Sequence, residues 1–389
     1  MRILFLTSRF PYPLEKGDKL RAFHQLKELS KRHEIILCAV SDQRIEPDHL
    51  DALKPFCKKI LVHQLSFSKV LFNLFSTLFR RIPFQAGYFY SKKFQNKIDQ
   101  VVEAEKPDAV YCQLVRMAEY TKEIRGASKT LDYMDAFSTG LERLYRRSSF
   151  LKKIVVGMEW KRMLKYERKV FAWFDHHTII SEQDKKLIPV SDHDAIHVIP
   201  NGVDLDFYQP VLQEKKFDLI FSGNMAYTPN IESVLFIAKD VMPLIQKENP
   251  AVKLVIAGAA PVPEITRLKS EHVEVTGWVE DMRDYFAQSK IHLAPMLISI
   301  GLQNKILQAM AMKIPSIVTT RANNAIHAPV NECLLIADTP QEYAEKILLL
   351  LEDQSLYNRL SENGYQFVKE NFNWSSTVNQ LEKIIQQKA

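Results

Sequence analysis

Short apolar runs alternate with longer segments of helical period along the whole chain. In the first half the runs are RILFLT, EIILCAV, KILVHQL, DAVYCQ, KTLDYM, HHTIIS and AIHVIP; in the second they are FDLIFSG, VKLVIAG, VEVTG, IHLAPM, SIVTT and ECLLIA. Strands this short and continuously apolar are buried on both faces, as in a parallel sheet whose crossover helices cover it from two sides. The pattern predicts an α/β chain of two doubly wound, Rossmann-like domains in tandem. Apolar periodicity breaks at Asn201–Phe217, where turn residues, a proline and charges replace it. We therefore place the domains at 1–205 and 206–372. The remaining stretch, 373–389, predicts a closing helix with Leu381, Ile384 and Ile385 on one side and Ser375 or Ser376 as N-cap. Open parallel sheets bind ligands beyond the carboxyl ends of their strands, so two facing domains predict an interdomain cleft as the site.

A chain of 389 residues with 46% hydrophobic content can fill two ordinary cores. Its net charge of +6 hides an asymmetry: residues 1–200 carry 35 Lys and Arg against 24 Asp and Glu, the remainder 17 against 22. The first half is +11 and the second −5, which suits an anionic partner for the first half or a set of solvated helix faces. No nucleic-acid motif accompanies that charge, and we expect no nucleic-acid partner. Cys38, Cys57, Cys112 and Cys333 lie far apart without a C-x-x-C pair, as expected of reduced thiols in a cytoplasmic protein. The chain enters its first strand at once, with no pattern of a secretory signal. Its longest apolar stretch outside strands, Val70–Phe79, is half of a membrane span. Phe67–Ile98 nevertheless mixes Phe72, Phe75, Phe79, Phe84 and Phe89 with Arg80, Arg81, Lys92 and Lys93, and Lys152–Lys169 is also basic. These stretches fit either a peripheral membrane surface at the inner face of the cell membrane or helices roofing the sheet.

The densest chemistry lies at Pro295–Pro315, PMLISIGLQNKILQAMAMKIP, where a strand end, Gly301 and the start of an amphipathic helix adjoin. A helix N-terminus presents unpaired N–H groups and about half a positive charge, and a glycine lets a phosphate approach the backbone. Lys305 adds a full charge one turn in. Gly301, Leu302, Gln303, Asn304 and Lys305, followed by Ala309, Met310 and Ala311, resemble the donor segment of family 4 retaining glycosyltransferases (glycosyl transferases group 1), most closely that of bacterial exopolysaccharide-type sugar transferases. IPNGVD at Ile199–Asp204, SGNMAYTPN at Ser222–Asn230 and GWVED at Gly277–Asp281 extend the resemblance over nearly the whole chain.

The resemblance implies a GT-B fold whose last helix packs back on the N-terminal domain. It also implies transfer of a sugar, with retention, from a nucleotide-diphosphate sugar to a saccharide or lipid-linked acceptor in surface polysaccharide or lipopolysaccharide assembly. Neither cofactor nor metal is implied, and no D-x-D pair occurs in these motifs. Gly17, Gly223, Asn224, Gly301, Gln303, Asn304 and Lys305 would approach the donor phosphates, Gly277 and Trp278 the base, and Gln308 the ribose. The family has glutamates where this chain has Ile300 and Gln308; an amide retains one acceptor for a ribose hydroxyl, whereas a hydrocarbon binds none. On the first domain, QLVRMA and DYMDA point to Arg116 and Asp135 as catalytic residues that position the acceptor and steady the leaving diphosphate. Purely structural roles stay open for Gly17, as a loop glycine, for Trp278, as a packing residue, and for Asp135, as a helix cap. A catalytically inactive scaffold and a nucleotide-sugar epimerase are the alternatives to transfer.

Overall fold

The computed structural model describes residues 1–66, Leu74, Thr77, 82–297 and 302–387. The chain divides into two compact units, Met1–Pro200 together with Thr377–Ala389, and Asn201–Ser376.

Among the described residues, each of the thirteen apolar runs forms a parallel strand. The first unit holds β1 (Arg2–Thr7), β2 (Glu34–Ser41), β3 (Lys59–Gln64), β4 (Ala109–Gln113), β5 (Ser128–Asp132), β6 (His176–Ile179) and β7 (Ile196–Val198), in the order β3-β2-β1-β4-β5-β6-β7. The second holds β8 (Phe217–Ser222), β9 (Leu254–Ala257), β10 (Val273–Gly277), β11 (Ser289–Ala294), β12 (Ser316–Val318) and β13 (Leu335–Ile336), in the order β10-β9-β8-β11-β12-β13. Strand order reverses between β1 and β4 in one sheet and between β8 and β11 in the other. At such switch points the connections leave to opposite faces and open a crevice beyond the strand ends.

Each sheet has its own core. Leu4, Leu6, Ile36, Val110 and Leu131 are buried in the first unit, and Leu219, Phe221, Ile256, Leu293 and Ile317 in the second. Helix starts follow local chemistry: Ser91 Oγ accepts from Phe94 N ahead of Lys92–Glu105, and Thr339 with Glu342 closes a capping box on Pro340–Glu352. The last helix, Trp374–Ile385, starts before either expected serine cap, because Asn373 Oδ1 accepts from Ser376 N at 2.7 Å. Its residues Leu381, Ile384 and Ile385 are buried. Arg32 Nε donates to Glu382 Oε2 at 2.8 Å, tying this helix to the first unit to which its second half belongs.

Of the aromatic segment Phe67–Ile98, residues 67–73, 75, 76 and 78–81, with Phe72, Phe75, Phe79, Arg80 and Arg81, lie outside the described residues. Its described helices roof the sheet: Phe89, Phe94 and Ile98 are buried, while Lys92 and Lys93 face solvent. No helix among the described residues is long and apolar enough to cross a membrane.

Candidate functional site

In the second unit, two strands end in glycines that touch. A Cβ on Gly258 would lie 1.8 Å from Gly223 O, and Gly258 holds φ at +145°. Gly223, at φ +152°, is less tightly constrained, its own Cβ meeting the side-chain Asn230 Nδ2 at 2.7 Å. The contact is fixed by Gly223 N donating to Ala257 O at 3.0 Å and Met225 N donating to Ala259 O at 2.8 Å. Side chains are thereby kept off the carboxyl ends of β8 and β9, where Gly258 is buried and Gly223 half-buried. Asn224 makes the turn that follows, its Oδ1 accepting from Ala226 N at 2.9 Å and its carbonyl from Asn230 Nδ2 at 2.8 Å.

Across the switch point, β11 leads to the helix Asn304–Ala311, with Gln303 in the N-cap position. Gly301 and Ile300 lie outside the described residues. Lys305 Nζ donates to Asn230 Oδ1 at 2.8 Å and sits 4.1 Å from the centroid of Phe221. No carboxylate among the described residues lies within ion-pair distance of Lys305. Burial consequently pulls its ammonium down to about 7, so the full charge expected from the sequence is only partly present at neutral pH. Below it, His292 is fully buried with Nδ1 3.2 Å from Ser316 Oγ, and burial pushes its imidazole down to about 3. Asn304 Oδ1 is buried without a partner. Gln308 is half-buried one turn farther along, its amide free of hydrogen bonds to the described side chains. Beyond β10, Gly277 is followed by Trp278, which is 74% exposed. The indole serves no core, which removes the packing alternative.

In the first unit, Gly17 opens the helix Gly17–Leu29, and a Cβ at this position would meet nothing within 4 Å. The expected loop tip is instead a helix start that any residue can occupy. Asp18 accepts from Arg9 Nη1 at 2.6 Å and Arg116 Nη2 at 3.3 Å, and Gln113 Nε2 donates to the Asp18 carbonyl at 3.0 Å. Arg116 follows β4 and is 7% exposed; burial and the nearby Arg9 lower its guanidinium to about 10. The two aspartates of DYMDA diverge. Asp132 is buried, accepting from Arg21 Nε and Tyr111 Oη at 2.6 Å each. Asp135 reaches solvent, and surrounding protein raises its carboxyl above the ordinary range. Behind it, Glu167 Oε1 accepts from Ser138 N at 3.3 Å at the start of the helix Phe137–Arg147, and burial pushes that carboxyl up to about 7. Glu167 thus caps the helix, while the Asp135 carboxylate accepts from the backbone of Ala136 at its N-cap position.

Residues 216–353 match the family model "Glycosyl transferases group 1". Both units also align with solved glycosyltransferase folds. HepE of Anabaena, solved with UDP, gives a TM-score of 0.70 at 14% identity, covering 98% of this chain and 99% of that one. Sucrose-phosphate synthase of Thermosynechococcus elongatus gives 0.67 at 15% identity, covering 98% of each.

The second unit carries the group 1 glycosyltransferase domain, and the chain has the GT-B fold.

Among its relatives is a 44.6 kDa protein of a Klebsiella pneumoniae cps region, 23% identical over 95% of this chain and 96% of its own length. In this glycosyltransferase, the structure brings Gly223, Asn224, Gln303, Asn304, Lys305 and Gln308 to the second unit's switch point, with Gly277 and Trp278 at the end of β10. Arg116 gathers with Asp18 at the first unit's switch point, and Asp135 stands beyond β5. Sequence reasoning missed Gly258, Asn230 as the partner of Lys305, and Arg9. The Gly-Ala-Ala directly after the run VKLVIA was a usable signal for the first; nothing in the sequence marked the other two.

Proposed function

We propose that this glycosyltransferase moves a hexose from a nucleotide-diphosphate sugar to a saccharide or lipid-linked acceptor, with retention at the anomeric carbon, in surface polysaccharide or lipopolysaccharide assembly. The observation that carries this reading is the glycine-cleared end of β8 beside the start of the helix Asn304–Ala311 and a lysine that has no carboxylate partner among the described residues. Such a place suits phosphates, which accept from backbone N–H groups and supply the counter-charge that Lys305 lacks. The fold is shared with HepE, solved with UDP and with UDP-glucose, and a relative lies in a cps region. In the proposed assignment Trp278 stacks on the base and Gln308 holds the ribose.

The reaction breaks the bond between the anomeric carbon and the β-phosphate oxygen and forms one to the acceptor oxygen on the same face. The acceptor proton passes to the departing phosphate, so no protein base is required. Lys305 and backbone N–H groups take up the charge that develops on the diphosphate, while Arg116 and Asp135 orient the acceptor. The nucleotide sugar is substrate, and the proposal calls on no resident cofactor or metal.

A lipid-linked acceptor is supported by the helix Phe150–Phe171. Its two carboxylates turn inward: Glu159 accepts from Phe84 N and Gln85 N, and Glu167 from Ser138 N. Outside remain Lys152, Lys161, Lys165, Arg168 and Lys169, with Phe150, Ile154 and Val155 exposed by 80, 62 and 55%. Cations interleaved with bare apolar groups suit an anionic bilayer surface at the cytoplasmic side.

Calorimetric titration with UDP, GDP, ADP and CMP tests the donor reading. Selective micromolar binding of one nucleotide, weakened in Lys305→Ala and Gln308→Ala, is expected. Binding of none would end it and leave a scaffold role.

A further inference from the structure

The carboxyl ends of β1 and β4 gather cations that the described groups do not fully occupy. One carboxylate, Asp18, is shared by Arg9 and Arg116. Each guanidinium carries five N–H donors. Arg9 directs one of them at Asp18, and its Nε is buried with no partner. Arg116 directs one at Asp18 and one at Ser8 Oγ, 2.8 Å away. Its planar group is held in place by aromatic rings, 4.4 Å from the Phe89 centroid and 5.6 Å from that of Phe137. Lys19, next along the helix from Asp18, is buried and has no carboxylate within ion-pair distance among the described residues. The further carboxylate whose field reaches both Lys19 and Arg116 is Asp42, exposed beyond β2. Glu15 and Asp18 also act on Lys19, and Lys16 adds a cation, so four cations face three carboxylates.

Keeping Arg9 Nε buried without a partner costs free energy, since such groups are ordinarily satisfied. The unused donors form a fixed fork, and the fork matches the paired oxygens of a phosphate or carboxylate. A neutral sugar hydroxyl would satisfy one donor and leave the charge uncompensated. The cluster also lies at the switch point of its sheet, where open α/β sheets take ligands. We propose that Arg9, Lys19 and Arg116 form a subsite for an anionic group, a phosphate or a carboxylate, carried by the acceptor. The word acceptor rests on the transfer reading above; the anion subsite rests on the cluster alone.

The test uses the full-length protein and three probes at neutral pH: glucose 6-phosphate, glucuronate and methyl glucoside, with binding read by ligand-detected NMR. UDP affinity is measured in parallel by calorimetry. One of the two anionic sugars is expected to bind about tenfold more tightly than methyl glucoside, and which one does so identifies the group. Arg9→Gln and Lys19→Gln should each weaken it about tenfold and leave UDP affinity and the melting temperature unchanged. Equal binding of methyl glucoside, full anion affinity in Arg9→Gln, or UDP binding without binding of either anion would overturn the subsite. If UDP fails to bind while anion binding still depends on Arg9, the subsite stands and the nucleotide reading falls.

Discussion

Replacing Gly258 by alanine drives a methyl group into the Gly223 carbonyl at a backbone angle that alanine resists. The strand ends must part, and we expect a loss of roughly 3 kcal/mol in chemical denaturation together with loss of nucleotide binding. Lys305 gives a pH signature. Its free-protein value of about 7 rises when a diphosphate supplies counter-charge, so binding takes up a proton. Nucleotide-diphosphate affinity should be greatest below pH 7 and fall as pH climbs above it; in Lys305→Ala the slope should vanish in calorimetry at several pH values. Asp132→Asn leaves Arg21 charged and buried without its anion, which should destabilise the first unit by about 3–5 kcal/mol in urea unfolding. These positions also mark how far the sequence could be read. A glycine after a strand is visible in one chain, but contact between two such glycines depends on the pairing of β8 with β9. The type of residue 305 is visible too, but its charge depends on what buries it. Arg116 and Asp18 stand 98 residues apart, and only the fold joins them.

At the scale of elements, strands were the most legible feature, because a parallel strand must be apolar on both faces and therefore writes itself as a short unbroken run. Helix faces were less so. Lys152–Lys169 reads as a mixed-charge helix until the burial of Glu159 and Glu167 shows that both anions belong to the interior. With them removed, the outer face of Phe150–Phe171 is cationic and partly apolar. Vesicles rich in phosphatidylglycerol should therefore sediment the protein. Ile154→Glu is expected to weaken that association about fivefold, corresponding to about 1 kcal/mol per charge near the surface, and added salt should weaken it further. Sedimentation that ignores both changes would remove the membrane assignment. The closing helix shows a smaller failure of the same kind: two serines advertised a cap, and the asparagine preceding them supplied it.

For the whole molecule, the alternation of strands and helices was sufficient to predict two Rossmann-like units, whereas the pairing of residues within each site had to await the structure. Two separate cores predict two calorimetric transitions rather than one. UDP at a hundredfold excess over its dissociation constant should stabilise one of them by about 2.7 kcal/mol and leave the other in place. The path of the chain adds a constraint on synthesis. The first unit consists of Met1–Pro200 and Thr377–Ala389, and Leu381 and Ile385 are buried in it. It begins to leave the ribosome first, yet its last core residues emerge only after the second unit has been made. A fragment ending at Pro200 should therefore emerge as a chaperone client, and grafting the segment from Thr377 onward behind it should restore a soluble domain.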